Sequence, residues 1–98
     1  MIRADGNRLR VSGPIVLGNH VELRERSVRY FGACDIDVDL AGATAVDSSA
    51  LALVFFWQRH AGAHRVTLLS VPPSLLALAD LYGVGDLLGV QAETPHGE

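Results

Sequence analysis

From position 34 to position 40 the chain alternates without a break. Cys34, Ile36, Val38 and Leu40 are apolar, and Asp35, Asp37 and Asp39 stand between them. Successive side chains of an extended strand point to opposite faces, so this stretch reads as a strand with one buried face and one wet face. The expected architecture is therefore a sheet covered by helices mainly on one side. Cys34 is the single cysteine of the chain. It falls in the apolar series and reads as a small buried hydrophobe, and no intrachain disulfide or thiolate metal cage is possible.

The second constraint is the run 50–57, Ala-Leu-Ala-Leu-Val-Phe-Phe-Trp, which is apolar throughout. Asp47-Ser48-Ser49 precedes it, and Ser48 or Ser49 is placed to cap a helix by accepting a bond from an unpaired backbone N–H. The pattern predicts a helix over 48–61, closed by Gly62. A surface helix needs an apolar stripe only about 100° wide. The run exceeds that, so either this helix is sandwiched inside the domain or its second face meets another protein. Phe56 and Trp57 are candidate aromatic anchors for such a partner.

The remaining segments arrange themselves around these two. Residues 2–4 and 7–12 read as short strands joined at Asp5-Gly6, which tolerates the turn of a hairpin. Gly13-Pro14 reads as the end of that ladder. Asn19 followed by Glu22 has the form of a capping box and predicts a helix over about 20–30, with Val21, Val28 and Phe31 inward. Residues 41–44 read as a loop and 66–71 as a further strand. Pro72-Pro73-Ser74 opens a third helix, because proline suits the first helical turn. Leu75, Leu76, Leu78, Ala79, Leu81 and Tyr82 line it. Residues 87–92 predict a last short strand or turn. The order is β-β-α-β-α-β-α, with parallel crossovers expected between the strands that flank helices.

The chain has 98 residues, enough for one domain with one core. We expect that domain over 1–92, with 93–98 a disordered tail. Net charge is −3, against the Lys and Arg excess of a nucleic-acid binder. No secretory signal is visible, and no apolar run is long enough to span a bilayer. The expectation is a cytoplasmic chain without direct membrane insertion.

Few residues suggest catalysis. Alternate aspartates on a strand lie about 7 Å apart, so three in a line do not converge on one cation. His60 and His64 are spaced for zinc on a helix, but Gly62 interrupts them and no third ligand is evident. Ser48 and His60 on one helix are separated by about 18 Å, too far to share a proton. Spacing leaves Ser48 with His20 open. There is no Gly-x-Ser-x-Gly elbow and no phosphate-binding glycine loop. We expect no enzyme activity, no metal and no cofactor. The residues leave Ser48 and Ser49 two readings: a plain helix start, or a contact or phosphorylation point stabilised by the helix N-terminus.

Val46-Asp47-Ser48-Ser49-Ala50-Leu51, following a strand that ends Val38-Asp39-Leu40, resembles the signature of the STAS domain family. The order of strands and helices, and Val11-Ser12-Gly13 ending the second strand, are similar as well. The family includes anti-sigma factor antagonists and a domain of sulfate transporters. The resemblance implies an α/β fold with a mixed sheet of four to five strands. In antagonists the regulatory phosphoserine directly follows the aspartate, a position matching Ser48.

Two stretches resemble the MlaB branch in particular: residues 47–53, and Leu76-Ala77-Leu78-Ala79-Asp80-Leu81-Tyr82-Gly83-Val84. MlaB is the small STAS subunit of a bacterial phospholipid ABC transporter that maintains outer-membrane lipid asymmetry. That resemblance implies a cytoplasmic subunit bound to an ATPase subunit (MlaF-like) beside an inner-membrane permease, with Ser48 at the contact. The alternative partner is a serine-kinase anti-sigma factor, with Ser48 switched by phosphorylation. Antagonists commonly have Gly where this chain has Ala50, and an acid where it has Val16. Both departures turn the reading from a phospho-switch to constitutive docking. The implied contact set is Asp47, Ser48, Ser49 and Ala50, with Phe56 and Trp57.

Overall fold

A computed structural model describes residues 2–89. Strands β1 (Ile2–Asp5), β2 (Arg8–Val11), β4 (Ile36–Asp39) and β6 (Val66–Leu69) form a four-stranded sheet in the order β1-β2-β4-β6. The hairpin pair β1–β2 is antiparallel, and β2–β4 and β4–β6 are parallel. The alternating stretch thus supplies a central strand. Ile36, Val38 and Leu40 are buried against the helices. On the other face Arg8 and Arg10 stand 4.0 Å from Asp37 and Asp39. Cys34 does not share the buried face: the chain bends through 31–34, the strand starts only at Ile36, and the thiol is exposed.

The chain does not stop at Gly13-Pro14. Strand β3 (Gly13–Ile15) pairs in parallel with β5 (Ala43–Val46) as a separate two-stranded sheet. Gly13 adopts φ 86°, a left-handed conformation that redirects the chain from one sheet to the next. Proline is tolerated on such a short edge pair because its missing N–H breaks no central ladder. Residues 43–46, read from sequence as part of a loop and the lead into the helix, are therefore a strand.

Helix α1 (His20–Ser27) continues as a 3-10 turn over Val28–Tyr30, helix α2 spans Ser48–Ala61 and helix α3 spans Pro73–Leu81. The bounds of α2 are those the sequence predicts. Its N-cap is Asp47 rather than either serine. In α1 the inward residues are Leu23 and Ser27, and Val21 is 56% exposed. Asn19 makes no side-chain cap bond to α1: its side chain instead closes the preceding 3-10 turn, accepting the Val16 N–H. In α3 only Leu75 and Ala79 are fully buried, and Leu76, Leu81 and Tyr82 are exposed. The segment Gly85–Leu87 is a 3-10 turn. The strand expected toward 92 and the boundary and tail beyond it lie outside the described residues.

Helix α2 packs against α1, α3 and β6. Ala50, Leu51, Leu53, Val54, Trp57 and Ala61 are all buried. The first of the two sequence alternatives holds for most of the apolar run: the domain itself sandwiches it. What α2 leaves outward is Ala52, with Phe55 and Phe56 half-buried.

Candidate functional site

The end of β5 delivers the chain to Asp47, whose extended backbone (φ −136°, ψ −168°) points its carboxylate over the first turn of α2. One carboxylate oxygen, Oδ1, accepts the Ser49 N–H at 2.9 Å and also the Ser49 hydroxyl. The other, Oδ2, accepts the Leu17 N–H at 3.0 Å. A single side chain thus caps a helix and ties it to a loop 30 residues earlier. That loop is itself closed by Asn19, whose Oδ1 accepts the Val16 N–H at 3.0 Å and whose Nδ2 donates to the Pro14 carbonyl at 2.7 Å. The Ser49 hydroxyl is the first cause holding the Asp47 carboxyl below the usual carboxylate range. The Leu17 N–H, the Ser49 N–H and nearby His20 act in the same direction.

Around this brace lies an open depression of about 420 Å³, lined by Leu17, His20, Val21, Asp47, Ser48, Ser49 and Ala52. Its rim is apolar: Leu17 is 77% exposed and Val21 56%. Ser48 sits at the first helical position, exposed, and its hydroxyl has no hydrogen-bond partner among the described residues. The two serines are therefore inequivalent. Ser49 is committed to Asp47, and Ser48 is open to solvent.

Of the residues singled out from sequence, Asp47, Ser48 and Ser49 come together here. Ala50 follows them but is buried, so it contributes by fitting the helix start closely against the core. Phe56 is half-buried, 4.2 Å from the His60 ring by centroids, with the Arg24 guanidinium 5.2 Å from its centre. Trp57 is not a surface anchor. It is 1% exposed, stacks on Phe31 at 5.6 Å, and donates its indole N–H to Ser27 Oγ at 2.7 Å. An amphipathic indole with its one donor satisfied inside the domain is a core residue.

His20 does reach the depression that holds Ser48, but no hydrogen bond joins them among the described residues. A nucleophile needs its base within hydrogen-bond reach, and this pair lacks it. His60 and His64 are both on the surface, and His64 faces Asp35 at 3.5 Å. Among the described residues no group of three potential ligands could hold a metal ion.

Leu17 and Val21 are absent from the sequence-derived site. The available signal was their i,i+4 spacing just after the Gly13-Pro14 break, where a chain turns onto the surface. Val21 was assigned to the core by periodicity on a helix whose apolar pattern is weak.

Curated proteins give no significant sequence match. Among solved structures the chain is similar to the anti-sigma factor antagonist SpoIIAA in its unphosphorylated form. The TM-score is 0.74 at 17% identity, covering 97% of this chain and 88% of that one. At that identity the likeness is one of fold. The family model described as "Mlab, STAS domain" matches residues 1–89. Domains of this kind mediate protein–protein contacts, in keeping with an apolar-rimmed surface. A match over nearly the whole chain, on a sheet and helix order of the same kind, makes this chain a member of the STAS domain family.

Proposed function

We propose that this chain is the STAS subunit of an inner-membrane ABC transporter that moves phospholipid and maintains outer-membrane lipid asymmetry. In this reading it catalyses nothing itself. It binds the transporter's ATPase and stabilises or regulates it, and meets the permease only indirectly. It is cytoplasmic, held at the inner membrane through its partner. No helix among the described residues is long and apolar enough to cross a membrane.

One observation carries the proposal. At the start of α2 a free hydroxyl, Ser48, stands inside a rim formed by exposed Leu17 and Val21, and Asp47 holds that surface in one shape. Exposed apolar groups around a fixed polar point are the anatomy of a protein interface. The matching family model carries the MlaB label, which supports the transporter reading. Ala50 and Val16 depart from the antagonist pattern in the same sense. A phosphate on Ser48 would gain from the helix N-terminus but would face the Asp47 carboxylate.

Co-purification tests the choice of partner. The wild-type chain and Ser48→Glu are offered an ABC-transporter ATPase subunit and a serine-kinase anti-sigma factor in parallel. Retention of the ATPase by wild type, weakened by Ser48→Glu, is the expected result. Retention of the kinase alone, with phosphate appearing on Ser48, would establish the antagonist reading instead.

A further inference from the structure

The wet face of the sheet carries two rows of side chains across its strands. In one row Arg8 stands between Asp5 and Asp37. In the next, Arg3 is directly opposite Arg10, and Asp39 is the only acid. The chain as a whole has a net charge of −3, yet this row has two cations to one anion. Asp39 is also partly committed: its Oδ1 accepts the Ala41 N–H at 2.9 Å, and Arg10 Nε is 4.0 Å from its Oδ2. Arg3 has no ion-pair partner among the described residues. Like charges opposed across a strand pair disfavour the sheet, so nothing in the fold itself calls for this pair.

Arg3 and Arg10 line an open depression of about 380 Å³ at the carboxyl ends of β2 and β4. Its remaining wall is Val11, Ser12, Asp39, Ala41 and Gly42. We propose that this depression is a second site, separate from the start of α2, that binds a phosphate monoester between Arg3 and Arg10. One guanidinium fork satisfies a carboxylate. Two forks from adjacent strands suit the three terminal oxygens of a phosphate. Asp39 limits the site to a single anionic head.

The test uses phenyl phosphate as probe and follows the backbone amides of residues 10–12 and 39–42 by NMR, with benzoate as the carboxylate control. Saturable shifts are expected with phenyl phosphate, with affinity at least about tenfold weaker for benzoate and for the Arg3→Ala/Arg10→Ala double variant. Asp39→Asn removes the repulsion and tightens binding. Circular dichroism verifies that each variant is folded. Absence of saturable shifts, or equal affinity in the double variant, overturns the proposal, and benzoate binding as tightly as phenyl phosphate overturns the ligand class. Sedimentation with phosphatidylcholine vesicles containing phosphatidic acid separates the two sources of the group. Arginine-dependent co-sedimentation assigns it to a lipid headgroup, and phenyl phosphate binding without it assigns a free ligand.

Discussion

Ser27 shows at the scale of one residue what holds this core together. It is completely buried, donates its hydroxyl to the Leu23 carbonyl at 2.6 Å and accepts the Trp57 indole N–H at 2.7 Å. Ser27→Ala leaves a buried indole donor without a partner, a loss of about 1–3 kcal/mol. Chemical denaturation followed by Trp57 fluorescence measures it, since the chain has one tryptophan. Trp57→Phe removes the donor itself, so the two substitutions together cost less than the sum of each alone, read by circular dichroism because these variants have no tryptophan. Gly42 is a second point of tight fit. A Cβ there would lie 2.7 Å from Ser12 Cβ and 3.3 Å from Ser12 Cα. Gly42→Ala is expected to destabilise by about 1–3 kcal/mol, read from the same denaturation curves. Neither residue is conspicuous in the sequence. Ser27 sits in the most polar helix, and its partner is 30 positions away. Gly42 looks like any loop glycine until the neighbouring sheet is in place.

At the scale of elements, the decisive unit is the Asp47 brace between the 17–19 turn and α2. Its carboxyl is held below the usual range by the hydrogen bonds it accepts, so the ionised form belongs to the folded state. The brace contributes fully above about pH 4, and its contribution is lost as pH falls through the lowered folded-state value. Asp35, lowered first by the Arg65 N–H, acts in the same direction. Unfolding midpoints measured from pH 6 down to pH 2 should therefore fall with acid. The fall should be shallower in Asp47→Asn and shallower still in Asp35→Asn/Asp47→Asn. An unchanged slope in both variants would contradict the brace.

The elements were legible in the sequence where one signal dominated. Period-two alternation located β4, and an apolar run between Asp47 and Gly62 fixed both ends of α2. The cap itself was misplaced by one or two residues, because Asp and Ser both suit that position and only geometry chooses between them. Strands β3 and β5 were missed for a different reason. Each is short, lies in a two-stranded sheet and shows no alternation of burial, and β3 contains a proline. The inward face of α1 was misread because Leu23 and Ser27 form too sparse a stripe to outweigh Val21.

At the scale of the whole molecule, the apolar excess of α2 turns out to be an internal matter. The helix is enclosed by α1, α3 and the sheet, and Trp57 and Ala50 belong to the core. The surface we propose for a partner is not the face of α2 but its beginning, where a loop 30 residues earlier in the chain meets it. Asp47, Ser48 and Ser49 could be singled out from sequence because they form one local motif. Leu17 and Val21 could not, because their place beside that motif depends on the Asp47–Leu17 hydrogen bond.

The measurement that bears most directly on this account is the affinity of the chain for an ABC-transporter ATPase subunit, by isothermal titration calorimetry. Wild type is compared with Val21→Glu and Ser48→Glu, two exposed substitutions that leave the core untouched. The account predicts that each weakens binding by about tenfold or more, with unchanged thermal unfolding. Binding equal to wild type in both variants would contradict the assignment of the α2 start as the docking surface.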